Sequence, residues 1–180
     1  MARRKIHRKS ENRRKFREKF DFSANPGKVH WKLFIACLIV VFFVAAIGSA
    51  YTKIDSWYDS VKPSITPANW VFPVVWTVLF YLIAVSLYYA WLYSNEKQKK
   101  KILWYFAINF FLNVLWSVLY FTMHNPLYAF FDIILLLISI IYLIVFNWKI
   151  KKEASYFLIP YLLWVGFASV LNYLTILNMR

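Results

Sequence analysis

Five long apolar runs separated by short polar segments dominate this chain, at about 32–51, 67–93, 102–123, 126–148 and 154–177. Each has about the 20 residues that a helix needs to cross a ~30 Å hydrocarbon core. Backbone groups in lipid must be satisfied within the spanning structure, and the runs lack the two-residue alternation of a barrel strand. The pattern therefore predicts an all-α fold, a polytopic membrane protein built as a five-transmembrane-helix bundle. Residues 1–30 stand outside it. They are polar, basic and turn-rich around Asn25-Pro26-Gly27, and read as a largely disordered tail ahead of a membrane domain at 31–180.

Charge orients the bundle. Ten of the 22 Lys and Arg residues lie between Arg3 and Lys19. The segments Glu96–Lys101 and Lys149–Glu153 are also lysine-rich and fall on the same side as the tail. The opposite side carries Lys53 and Lys62 balanced by Asp55 and Asp59, then His124-Asn125, then Arg180. By the positive-inside rule the N-terminus is expected in the cytoplasm and the C-terminus outside, in what is read as a prokaryotic cell membrane. The net charge of +14 thus belongs to a tail and loops rather than to a folded basic surface. Anionic lipid at the basic tail is the expected partner, in preference to nucleic acid. A chain that is 61% hydrophobic and 17% charged does not read as a water-soluble domain.

The catalytic inventory is thin. One cysteine, Cys37, excludes an internal disulfide, and three glycines leave no phosphate-cradling loop. His7, His30 and His124 are scattered, with no metal-ligand spacing. Polar residues within the runs are more informative, because polar groups at membrane depth face a bundle interior and mark function or helix contacts. Asn109, Asn113, Trp116, Ser117 and Tyr120 fall on one helical face of the third run; Tyr161, Trp164, Ala168, Asn172 and Thr175 do so on the fifth. Asn on such a face ties helices together more often than it binds ligand. Asp132 is the single carboxyl of the fourth run, a helix cap or an interface bond being its plain reading. Pro73, within the second run, predicts a bend there, and Thr66 with Pro67 predicts that helix's start. Trp31, Trp104 and Trp148 sit at water boundaries as interfacial anchors. Trp57, Trp76, Trp116 and Trp164 instead group under the fifteen-residue segment Thr52–Thr66, a set of flat faces suited to a planar, mostly apolar ligand.

Several motifs resemble those of a known family. Trp57-Tyr58, Lys62-Pro63, then Thr66-Pro67-Ala68-Asn69-Trp70-Val71-Phe72 and Val75-Trp76-Thr77 form the first block. Leu112-Asn113-Val114-Leu115-Trp116-Ser117, Ala129 to Asp132, and Pro160-Tyr161-Leu162-Leu163-Trp164-Val165-Gly166-Phe167-Ala168 with Leu171-Asn172 and Leu177-Asn178 follow in order. Together they resemble the tryptophan-rich sensory protein/translocator protein (TspO/MBR) family over about residues 32–178. The pattern departs at Pro67-Ala68, where the family has Pro-Pro, and at Pro73-Val74, where it has Gly-Pro; these departures bear on the bend and on the aim of Trp76. A sterol motif at the end of the last run fails, because Tyr173 lies too far from Arg180.

The resemblance implies a receptor or carrier with a pocket under the first loop. Its ligands would be porphyrin-type tetrapyrroles such as protoporphyrin IX, bound without a separate cofactor, in a chain that can pair as a homodimer. Carried over by position, the ligand-binding candidates are Trp57, Tyr58, Trp76, Asn113, Asp132, Trp164 and Ala168. Pro63, Pro67, Trp70, Asn109, Trp116, Pro160 and Asn172 are the structural and helix-contact candidates. The alternatives are light-dependent degradation of the porphyrin, or a scaffold acting through the basic tail.

Overall fold

The structure is a computed structural model that describes residues 29–179, so the expected tail lies almost wholly outside the described residues. Its elements, in order, are α1 (Trp31–Tyr51), α2 (Ser56–Val61), α3 (Val71–Leu92), α4 (Glu96–Ser117) running into a π-helical turn (Val118–Thr122), α5 (Pro126–Trp148), α6 (Lys152–Tyr156) and α7 (Ile159–Asn178). Five spans are long and apolar enough to cross a membrane: α1, α3, α4 with its π turn, α5, and α6 with α7. The described residues form no strand. The expected all-α bundle of five spans is what the chain builds.

Local chemistry sets most helix ends. Asn95 opens α4 with a reciprocal capping box, its Oδ1 accepting from the Gln98 amide while Gln98 Oε1 accepts from the Asn95 amide, both at 2.9 Å. Asn125 caps α5 by accepting from the Tyr128 amide at 3.1 Å, with Pro126 in the first position, where a missing N–H leaves nothing unsatisfied. Asp132 is therefore not the cap of this helix.

Three expectations at helix ends are corrected. Thr66 does not cap the second span: α3 begins at Val71, and Thr66 Oγ1 is buried with no hydrogen-bond partner. Pro67 lies ahead of the helix, followed by a turn in which the Val71 amide donates to the Ala68 carbonyl at 2.9 Å. Pro73 consequently occupies the first turn of α3 instead of its interior, so it removes no helical hydrogen bond and no bend is required. The last span, expected to be continuous from 154 to 177, is divided at Phe157-Leu158 into α6 and α7. Pro160 has no N–H to donate to the Tyr156 carbonyl, and the chain resumes its ladder only when Leu162 donates to Leu158 at 3.0 Å.

The bundle has a two-sided plan. α5 packs closely on both α4 and α7, while α1 packs on α3 and α4. α4 and α7 meet instead through long side chains, in a set of polar rungs. Nearest the lysine-rich end, Tyr161 Oη donates to Asn109 Oδ1 at 3.3 Å and accepts from Asn113 Nδ2 at 3.2 Å. Asn109 Nδ2 continues to Ser139 Oγ on α5 at 2.8 Å. One turn further along α4 and three along α7, Trp116 Nε1 donates to Asn172 Oδ1 at 3.1 Å, and Asn172 Nδ2 donates to the Pro126 carbonyl at 2.8 Å. Tyr120 and Thr175 close the series, hydroxyl to hydroxyl, at 2.8 Å. Each span also exposes large apolar side chains, such as Phe43, Phe111, Phe131 and Leu163, which is the surface that lipid tails cover.

Asn172, like Asn109, holds two partners on two other helices. Asn172→Ala, which leaves the Trp116 indole without its acceptor and removes the tie to the Pro126 carbonyl, is expected to destabilise the bundle by about 1–2 kcal/mol. Asn178→Ala, which removes one contact to the Val61 carbonyl at the exposed end of α7, should have a smaller effect. Thermal unfolding in detergent micelles compares the two.

Candidate functional site

The end of the bundle opposite the lysines carries a cavity of about 320 Å³. That falls within the size range of small-molecule sites. α1 forms one wall with small side chains: Ala45, Gly48 and Ser49 lie on a single face of the helix, and Thr52 follows just past its end. The opposite walls are aromatic. From α3 come Phe72, Trp76 and Phe80, the last two stacked with centroids 5.2 Å apart at 28°. From α4 and its π turn come Trp116 and Phe121, edge to face at 5.7 Å. α7 adds Trp164, edge to face with Phe72 at 5.8 Å, and Ala168, whose small side chain leaves room beside it. Asn113 and Ser117 supply polar groups on the α4 side, and Asn69 on the approach to α3.

The loop after α1 covers this end. Asp55 starts α2 by accepting from the Tyr58 amide at 3.0 Å, so a six-residue helix forms within a segment that hydropathy leaves unassigned. Tyr58 is thereby turned inward, buried, and placed against Phe121 at 5.6 Å on the cavity wall. Burial pushes its phenol up to about 12, so it faces the cavity as a neutral hydroxyl. The loop is tied down from the α4–α5 turn. His124, held at φ 48°, places Nε2 3.1 Å from Asp55 Oδ2 and stacks its ring on Trp57 at 4.3 Å and 18°. Thr122 Oγ1 donates to the Tyr51 carbonyl at 3.2 Å, and Asn178 Nδ2 to the Val61 carbonyl at 3.2 Å.

Of the seven ligand-binding candidates from the sequence, Tyr58, Trp76, Asn113, Trp164 and Ala168 come together on the cavity wall. Two lie elsewhere. Trp57 is on the far side of α2, between His124 and Tyr120 (5.7 Å), where it fastens the loop instead of facing the cavity. Asp132 is buried within α5 at 4% exposure, away from the lining, with neither oxygen hydrogen-bonded.

Among the structural candidates, Asn109, Trp116 and Asn172 form rungs between helices, and Trp116 also lines the cavity. Pro63 is buried and borders a side chamber of about 30 Å³ shared with Tyr58 and Thr66. Pro160 opens α7, and Pro67 precedes α3. Trp70 is 70% exposed at the start of α3, a surface ring and not an internal contact.

Sequence reasoning missed the α1 wall and Phe121. The first had a signal, since residues 45, 48, 49 and 52 share a helical face and are all small in a run rich in bulky residues. The second had none, because the π turn changes the register and hydropathy does not report it. The Met123 amide reaches back five residues to the Val118 carbonyl at 2.9 Å. In this widened turn Tyr120 points to Thr175 while its neighbour Phe121 faces the cavity.

No charged side chain, histidine or cysteine lines the cavity, and no group of metal-ligating residues occurs among the described residues. The fold and site define an integral membrane protein whose five-helix bundle encloses an aromatic, ligand-sized cavity at one end. Residues 34–177 match the model of the TspO/MBR family. The chain is 40% identical to a tryptophan-rich protein TspO of Archaeoglobus fulgidus, over 77% of this chain and 92% of that protein. It is also 40% identical to the one from Chlorobaculum tepidum, over 80% and 93%. A translocator protein of Ovis aries is 29% identical over 71% of this chain and 78% of its own. The chain belongs to the TspO/MBR family, whose members include tryptophan-rich sensory proteins and translocator proteins.

The α2 cap gives a pH prediction. The hydrogen bond from the Tyr58 amide, followed by the neighbouring His124, holds the Asp55 carboxyl below its ordinary value. A lowered carboxyl stabilises the fold above its unfolded value and loses that contribution as pH falls through the folded one. Protection of the Tyr58 amide from hydrogen exchange should therefore be full at neutral pH and decline below about pH 4. Asp55→Asn, which keeps an accepting oxygen, should remove the pH dependence; Asp55→Ala should raise exchange at neutral pH by roughly fivefold, the loss expected of a removed helix cap.

Proposed function

We propose that this chain is a membrane receptor or carrier that binds porphyrin-type tetrapyrroles, such as protoporphyrin IX, or similar planar apolar molecules in the cavity under α2. The observation that carries the reading is the lining itself. Indole and phenyl faces from three spans surround a space with few polar groups, of which Asn113 is fixed in aim by its bond to Tyr161. Flat π surfaces bind a macrocycle by burial and stacking, and a single oriented amide fixes its polar edge. Tyr58, brought in by the covering loop, adds a neutral hydroxyl on the wall formed by that loop. Relatives named tryptophan-rich sensory protein and translocator protein support the same reading.

A second reading draws support from the absence of any charged or imidazole group in the lining. Acid–base catalysis has no agent there, yet Trp76 and Trp164 could serve as electron donors to a photoexcited ring. Under this reading the protein speeds loss of illuminated porphyrin and changes the product spectrum. A spectrum matching that of free porphyrin would leave the receptor reading alone. Orientation belongs to the proposal too: the lysine-rich loops lie on the cytoplasmic side of a prokaryotic cell membrane and the cavity opens toward the other, in line with the positive-inside rule.

Binding of protoporphyrin IX, followed by quenching of tryptophan fluorescence, tests the site. Ala168→Phe fills the space beside Trp164 and should weaken binding at least tenfold, as expected when a ring occupies the ligand's volume. Trp57→Phe lies outside the lining and should change affinity much less. Equal affinity in wild type and Ala168→Phe would exclude this cavity.

A further inference from the structure

A second concave site lies at the other end of the bundle, between the last turn of α5 and the start of α6. It is a shallow groove of about 510 Å³ lined by Trp148, Ile150, Lys151, Lys152, Glu153 and Tyr156. Two aromatic rings flank it, Trp148 and Tyr156, edge to face at 5.4 Å and 87°. Both remain about half exposed, at 45% and 51%. Both ammonium groups are held over rings instead of hanging free. Lys152 Nζ lies 5.4 Å from the Trp148 centroid, and Lys151 Nζ lies 4.7 Å from that of Tyr93 while bonding Glu153 at 3.1 Å. An ammonium has three N–H donors, and a ring contact or one carboxylate leaves others to offer. The position is telling as well, since α5 ends its crossing at Trp148 and α6 begins the next at Lys152. Amphipathic rings at such a point sit at headgroup depth.

We propose that this groove binds the headgroup of an anionic phospholipid, with Lys151 and Lys152 on the phosphodiester and Trp148 and Tyr156 against the glycerol and upper acyl region. Two lysines against one glutamate leave a single positive charge in the groove, matching the single negative charge of a phosphodiester. A zwitterionic choline headgroup would bring its own cation against the lysines. A soluble phosphate would have no use for two exposed rings facing the bilayer. Lys97, Lys100, Lys101 and Lys149 have no ion-pair partner among the described residues, and they add a diffuse positive field at the same end. That field attracts anionic lipid broadly; the groove gives one molecule a seat.

The test uses the full chain in nanodiscs of phosphatidylcholine containing a minor fraction of phosphatidylglycerol, with retained lipids counted by native mass spectrometry. Wild type should retain phosphatidylglycerol well above its share of the bilayer. Lys151→Gln/Lys152→Gln should lose retention roughly tenfold, and Lys152→Gln alone, an exposed position that does not threaten folding, about fivefold. Lys97→Gln/Lys100→Gln removes equal charge outside the groove and should change it far less. An equal loss in that control, no enrichment over phosphatidylcholine, or inorganic phosphate at millimolar concentration displacing the lipid completely would each overturn the proposal. Protoporphyrin binding in the groove variants should stay at the wild-type level, which separates this site from the cavity.

Discussion

The polar rungs between α4 and α7 are the constraint on which the rest of this bundle depends. Lipid tails are as apolar as Leu or Phe, so apolar surface gives these helices no reason to prefer one another over the bilayer. α5 can pack on each neighbour by shape, but α4 and α7 are brought together by amides, indole and hydroxyls that must find partners. Because the partners are specific, so is the register: Asn109 and Asn113 to Tyr161, Trp116 to Asn172, and Tyr120 to Thr175. A shift of one helical turn would part Trp116 from Asn172 and Tyr120 from Thr175.

The same rungs shape the cavity. Asn113 and Trp116 each use one edge to hold α7 and turn the other toward the open space. The residues that tie helices and those that line the cavity are thus partly the same, and the two readings of a buried Asn are not rivals here. The π turn extends the logic toward the loop, directing Tyr120 to Thr175 and Phe121 to Tyr58. His124 then carries the chain into the turn that fastens Asp55 and Trp57. From helix contact to loop anchor, one line of side chains sets the floor, the wall and the cover.

Much of this could be read from the residues before any coordinates. The five spans followed from hydropathy, and the polar faces of α4 and α7 from helical spacing, because burial of polar groups in lipid allows so few arrangements. What stayed illegible has physical reasons. The start of α3 was misjudged because Thr66-Pro67 carries the local chemistry of a helix start, while the chain makes another turn before Val71. Pro73 looked interior only because that start was misjudged. Trp57 and Tyr58 are adjacent and equally aromatic, and only the six-residue α2 decides which of them faces inward. Asp132 stands out in any sequence reading as a lone carboxyl at membrane depth. The structure buries it apart from the cavity, and its unpaired oxygens have no account in the contacts around it.

The central claim is that a planar ligand sits among the indoles at the covered end of the bundle and not among those of the membrane interface. With nine tryptophans in the chain, 5-fluorotryptophan labelling and ¹⁹F NMR in micelles, assigned by single Trp→Phe substitutions, tests it directly. On addition of protoporphyrin IX, the resonances of Trp76, Trp116 and Trp164 should move by ring-current shifts, while those of Trp31, Trp104 and Trp148 hold still. Shifts confined to the interfacial set, with the cavity indoles unmoved, would contradict the account.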